Sequence, residues 1–219
     1  IREYALSIGK KNFFTFGELY DNDDVISRYI GRNAANPSYL VGVDAVLDFP
    51  LFFRLPDIVK GQLPPTKLVE MYGYRHKAQR GIISSQGEAG NYFVTFLDNH
   101  AQYHRFFFAD PDNPHKYDDQ MAIGIGCLFT LLGIPCLYYG TEQGLSGSGS
   151  QMESVREALW GKPNAFDQNH PFYQTTQKIA AIREHQPALR YGRLYFRPVS
   201  GDGIHFGISK TVEGILAYS

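Results

Sequence analysis

Three short stretches of this sequence place groups capable of acid, base or hydrogen-bonding chemistry just after apolar runs. Glu18 follows Phe16 and Gly17 and precedes Leu19 and Tyr20. A carboxyl walled by these side chains is expected to be partly desolvated, the condition under which it can hold a proton as a general acid. A solvated glutamate beyond a strand has the same local pattern. Asp98, Asn99 and His100 close the apolar run 92–97. There His100 can bond a polar substrate, or the histidine and its neighbouring carboxylate can satisfy each other in a turn. The third stretch, 133–142, reads Gly-Ile-Pro-Cys-Leu-Tyr-Tyr-Gly-Thr-Glu. Alone it is a buried strand between helix-stop and turn residues.

The elements that must position these groups are legible around them. Residues 12–16 are uncharged and aromatic-rich, the signature of a strand buried on both faces in a parallel sheet. A second strand is expected near 45–49, within an apolar run from Val41 that embeds Asp44 and Asp48. Residues 63–80 follow Pro64 and Pro65 with helical spacing, and 92–97 form another buried strand. Residues 117–132 read as a helix with Asp118 and Asp119 at its positive N-terminus. Gly133 and Pro135 stop it, and a short strand at 136–139 follows. Strand and helix alternate, with polar groups gathered after the strands, as in β/α sheets whose sites lie at strand C-termini. After Pro187 the texture changes to short strands at 194–199, 204–210 and 215–219. Residues 1–190 therefore form one unit and 191–219 the start of an antiparallel β domain.

Composition narrows the function classes. The formal charge is −1 and hydrophobic residues make up 43% of the chain. Such a balance excludes a nucleic-acid binder held by counterion release and a polybasic membrane binder. Residues 120–141 carry no charge, but the Gly-x-Pro interruption favours a buried helix and strand over a membrane span. Cys127 and Cys136 exclude a disulfide scaffold; both are read as buried thiols packing like small apolar groups. The cluster 75–80 is read as a solvated helix face, and Gly144 to Ser150 as a mobile loop without the ending of a phosphate-binding loop. Tyr20, Phe49, Phe52, Tyr103 and Tyr138 either offer ring faces to a sugar or pack the rim of a sheet.

Taken in order, the motifs resemble the C-terminal half of the α-amylase family of glycoside hydrolases, family 13. Phe16-Gly17-Glu18-Leu19 is similar to the general-acid motif after barrel strand 5. Asp98-Asn99-His100-Ala101 is similar to the strand 7 motif, and 133–142 matches the strand 8 motif throughout. The stretch 184–190 resembles that family's passage into its C-terminal β domain. The resemblance implies an α/β fold, the second half of a (β/α)8 TIM barrel (strands 5–8) followed by an incomplete antiparallel β domain. It also implies a retaining α-glycosidase or transglycosidase acting on starch-, maltodextrin- or sucrose-like glucosides. In that scheme Glu18 is the general acid/base, while His100, Asp98, Leu19, Tyr20 and Arg105 contact or order the substrate site.

Two departures follow. Ala101 stands where the family has an aspartate that binds sugar hydroxyls and helps distort the ring, so those bonds are lost. The nucleophile lies after barrel strand 4, and nothing before Glu18 matches its Arg-x-Asp motif. The family's calcium ligands also lie largely in the other half, so no metal or cofactor is assigned. Both ends read as cuts, the natural N-terminus as absent, and a cytoplasmic location as favoured. A full barrel takes eight βα units and about 250 residues. The expected partners are therefore an α-glucan or small α-glucoside and a second polypeptide carrying the N-terminal half of the barrel. Alone and with Ala101 the chain is expected to be inactive; a non-catalytic carbohydrate- or partner-binding relative is the alternative.

Overall fold

The computed structural model describes every residue except 34–41, 80–81, 84–88, 148 and 164. Val41, Arg80 and Ser148, which belong to segments discussed above, lie outside the described residues. Helix α1 (Arg2–Ser7) leads to strand β1 (Phe16–Gly17), then α2 (Asp23–Ile26), β2 (Arg32–Asn33) and β3 (Ala45–Leu47). Helices α3 (Phe49–Phe52), α4 (Leu55–Val59) and α5 (Thr66–Ala78) precede β4 (Ile82–Ile83) and β5 (Phe93–Thr95). Then come α6 (Asp118–Thr130), β6 (Ile134–Pro135), α7 (Pro171–His185), α8 (Ala188–Tyr191), β7 (Phe196–Arg197) and β8 (Ala217–Tyr218).

The principal sheet has the order β1-β3-β5-β6, and every pair in it is parallel. Register sets Phe16 beside Ala45, Val46 beside Phe93, and Val94 beside Ile134. Among the described residues β1 and β6 each have one strand neighbour, so both edges are open. Successive side chains alternate between faces, as the pleat requires. Ala45, Leu47, Val94 and Phe96 pack with Phe49, while Val46 and Phe93 pack with Ile26, Ile30 and Ala89. The largest apolar cluster joins Leu51, Leu68 and Met71 to Met121, Ile125 and Leu128, with α4 and α7 packed against α6.

Local chemistry explains the helix boundaries. Asn22 accepts from the Val25 amide at 3.2 Å to cap α2, and Asp48 from the Leu51 amide at 3.0 Å to cap α3. Pro171 occupies the first turn of α7, where its missing N–H costs nothing. The expected stop after α6 depends on Gly133, whose φ is 124°. A Cβ there would lie 2.6 Å from Thr95 Cγ2 and 2.7 Å from the Phe93 carbonyl oxygen, so only glycine lets the chain turn against β5.

Several expectations are corrected. The run 12–16 is strand only at Phe16–Gly17, and Phe13, Phe14 and Phe16 are exposed instead of buried on two faces. Among the described residues β1 is an open edge, with no strand beyond it to cover those rings. Strand β6 lies two residues earlier than expected, because its ladder pairs Ile134 and Pro135 with Val94 and Thr95; only the Cys136 amide extends it, donating to the Thr95 carbonyl at 2.8 Å. Cys136 is consequently exposed rather than a packed thiol, whereas Cys127 is half-buried.

Arg75 is not part of a solvated face. It is 2% exposed, with Nε 2.6 Å from Asp23 and Nη1 2.8 Å from Asp48, while Nη2 makes a second contact to Asp48. The guanidinium also lies 4.0 Å from the centre of the Phe93 ring. Burial holds the Asp23 carboxyl above its ordinary value, with the Arg75 charge opposing it.

The C-terminal ribbon pairs β7 with β8 antiparallel, Phe196 beside Tyr218. An isolated bridge joins Val199 to Gly207, within the second of the three expected strands. The ribbon packs Phe196 5.6 Å from the Tyr72 ring on α5, and Tyr218 Oη lies 2.6 Å from Thr130 Oγ1 on α6.

Candidate active site

Glu18 leaves the C-terminal end of β1, and Asn99 and His100 follow the C-terminal end of β5. Parallel strands place such ends on one rim. Asn99 Nδ2 donates to Glu18 Oε1 at 3.4 Å, and His100 Nε2 lies 3.8 Å from Glu18 Oε2. Asn99 is aimed by a local turn in which its Oδ1 accepts the Ala101 amide at 2.9 Å. The Glu18 side chain is 40% exposed, so the desolvation expected of it is absent. Its expected wall is incomplete: Phe16 and Tyr20 are themselves exposed, while Leu19 turns into the apolar cluster around Ile26.

Tyr20 stands on the rim with its ring 4.9 Å from both Phe49 and Phe53, and Tyr103 is also exposed. Phe49 is buried and Phe52 stacks 5.0 Å from Phe96, so both serve the core side of the rim. One face of Tyr138 is covered by the Arg105 guanidinium at 4.4 Å. Of the five aromatic candidates, Tyr20 and Tyr103 therefore keep open rings.

Asp98 and Arg105 do not face a substrate. Asp98 is 3% exposed and its oxygens are occupied: Oδ2 accepts the Phe106 amide at 2.9 Å and Oδ1 accepts the Thr141 hydroxyl at 3.2 Å. Burial raises the Asp98 carboxyl above its ordinary value, opposed by Arg105, the Phe106 amide and Thr141. Arg105 is buried, with Nε 3.9 Å from Asp98 and Nη2 donating to the Tyr139 carbonyl at 2.5 Å. It lies beside the buried Asp98 carboxyl and is not part of a surface ion pair. Burial also pushes the Tyr138 phenol up to about 12.

Sequence reasoning left Asn99, Thr141 and Arg156 out of the site. The first two lay inside quoted motifs, so their signal was present; Arg156, which donates from Nε to the His100 carbonyl at 2.8 Å, had none. Ala101 is half-buried, and its methyl group offers no acceptor at the position discussed above. Among the described residues no group of three His, Cys, Asp or Glu side chains could hold a metal ion. No helix among them is long and apolar enough to cross a membrane.

No protein-family profile matches the chain. A cyclomaltodextrin glucanotransferase from Geobacillus stearothermophilus is 30% identical over 191 residues, covering 86% of this chain and 23% of that protein. A beta/alpha-amylase from Paenibacillus polymyxa is 30% identical over 214 residues, covering 94% of this chain and 15% of that protein. The γ-cyclodextrin glucanotransferase (γ-CGTase) structure from alkalophilic Bacillus clarkii superposes with a TM-score of 0.61 at 26% identity, covering 88% of this chain and 25% of that one. The chain belongs to the α-amylase family of glycoside hydrolases. An α-amylase structure from H. orenii, with a TM-score of 0.66 over 99% of this chain at 18% identity, supports the fold. The chain spans less than a quarter of the length of these curated relatives. The four-stranded parallel sheet is a partial α-amylase-family barrel, and the ribbon β7–β8 belongs to a following β domain.

Proposed function

We propose that this chain supplies the acid/base side of a retaining site for α-linked glucosides, with Glu18 as general acid and then general base. The observation that carries it is the meeting of Glu18 with Asn99 and His100 at the ends of β1 and β5, 3.4 and 3.8 Å apart. Protonated Glu18 gives its proton to the glycosidic oxygen as the bond breaks, then takes one from water or an acceptor sugar. A carboxylate nucleophile about 5–5.5 Å away completes the retaining pair, and it comes from the other half of the barrel. The open edges at β1 and β6 support a separate polypeptide segment in that role, since unpaired strand edges invite pairing. Residues 1–190 then form the half barrel and 191–219 open the β domain.

His100 and Tyr20 contact the sugar in this reading, with Tyr20 as its ring platform, while Leu19 packs in the apolar cluster around Ile26. Ala101 removes hydrogen bonds that strengthen in the transition state, so turnover is suppressed and the chain alone is inactive. Ala101 also supports a second reading, a non-catalytic glucan- or partner-binding relative.

The deciding experiment assays reducing-sugar release from soluble starch by the full polypeptide carrying this segment, together with whatever chain supplies the other half. Ala101→Asp should raise turnover by roughly 10²-fold or more, and Glu18→Gln in that background should remove the gain. No gain with Ala101→Asp, alongside retained glucan binding, would establish the second reading.

A further inference from the structure

We infer that Thr141, acting through Asp98, and Arg105, acting through the Tyr139 carbonyl, are positioning residues that hold Asn99 and His100 against Glu18; this rests on Glu18 being the acid/base.

Glu18 and Asn99 sit on strands that are not neighbours, because β3 lies between β1 and β5. Sheet hydrogen bonds therefore do not set their separation; the loop after β5 does. That loop closes at its base where the Phe106 amide donates to Asp98 Oδ2 at 2.9 Å, and it carries Asn99, His100 and Ala101. Closure alone does not fix the base of the loop on the rim; at its tip Arg156 Nε donates to the His100 carbonyl at 2.8 Å.

Two contacts to the next loop fix that base. Thr141, 1% exposed in the short 3-10 helix Thr141–Gln143 after β6, donates its hydroxyl to Asp98 Oδ1 at 3.2 Å. Arg105, one residue before Phe106, donates to the Tyr139 carbonyl at 2.5 Å and covers the Tyr138 ring at 4.4 Å. Both ends of the loop are thus fastened to the segment after β6, and neither fastening involves Glu18. Asn99, 8% exposed, is the first residue beyond Asp98 and carries the constraint directly to Glu18 Oε1. Burying a carboxyl is costly unless it is hydrogen-bonded; the bonds Asp98 accepts from Phe106 and Thr141 offset that cost and join two rim loops at one point.

Thr141→Val removes the hydroxyl with little change of shape. In the full polypeptide carrying Ala101→Asp, it should lower kcat on maltoheptaose about tenfold with KM within about twofold, because sub-ångström misplacement acts on the reacting geometry. Thr141→Ser should restore kcat to within about twofold. A readout independent of turnover is hydrogen exchange by mass spectrometry: Thr141→Val should speed exchange in peptides covering 97–106 by about tenfold, with α6 unchanged. Unchanged exchange in 97–106, equal acceleration in α6, or a kcat within about twofold of the parent would overturn the inference. Glu18→Gln that leaves turnover intact would instead defeat the acid/base assignment, and the exchange experiment would still decide whether Thr141 holds the loop.

Discussion

Arg75 on α5 grips Asp48 at the end of β3 with two guanidinium nitrogens, and its Nε takes Asp23 on α2 at 2.6 Å. One cation thus ties α5 to α2 and to the C-terminal end of β3, with all three side chains buried. Arg75→Met should cost about 3–5 kcal/mol, because it strands two carboxylates away from water. Adding Asp23→Asn and Asp48→Asn to Arg75→Met should recover much of that loss. Urea denaturation of the variants measures both.

Gly124 and Gly126 share helix α6 but meet different surroundings. A Cβ at Gly124 would lie 2.6 Å from Phe106 Cε1, whereas one at Gly126 would meet nothing within 4 Å. Gly126→Ala should stabilise the chain by about 0.5–1 kcal/mol through helix propensity. Gly124→Ala should destabilise it by about 1–3 kcal/mol through overpacking, despite the same propensity gain. Paired thermal melts test the contrast.

Asp98 predicts a pH dependence. Burial holds its carboxyl above the ordinary 3.8 in the folded chain. Its contribution to stability is therefore fully present below 3.8 and is lost as pH rises through the raised folded value. Melting temperatures measured from about pH 4 to pH 7 should fall more, or rise less, in the parent than in Asp98→Asn. An identical pH profile in the two would contradict the assignment.

Cys136 and Cys127 should differ toward a thiol reagent. Burial raises both thiols, so access decides: Cys136 is exposed beyond β6, while Cys127 is half-buried in α6. The chain by itself should show one fast-reacting thiol, absent in Cys136→Ser. Completion of the barrel should slow it.

The helices Thr66–Ala78 and Asp118–Thr130 were legible because prolines, glycines and apolar spacing act within a few residues. The exposure of Phe13, Phe14 and Phe16 was not, since an aromatic run reads as buried whether or not a neighbouring strand exists to cover it. Nor was the burial of Arg75, which shares a basic run with His76 and Lys77; its partners lie 27 and 52 residues away.

By itself the sequence determined the order of the four strands of the principal sheet and of the helices Thr66–Ala78 and Asp118–Thr130, the placing of Glu18, Asn99 and His100 after strands, and the missing acceptor at Ala101. Those are properties of neighbouring residues and their side-chain chemistry. Only the tertiary structure decided that Asp98 and Arg105 turn inward to brace two loops. It also decided that Asn99 reaches Glu18 across 81 residues of chain. The physical reason is that parallel register and loop closure bring together groups whose separation along the chain carries no information about their distance in space.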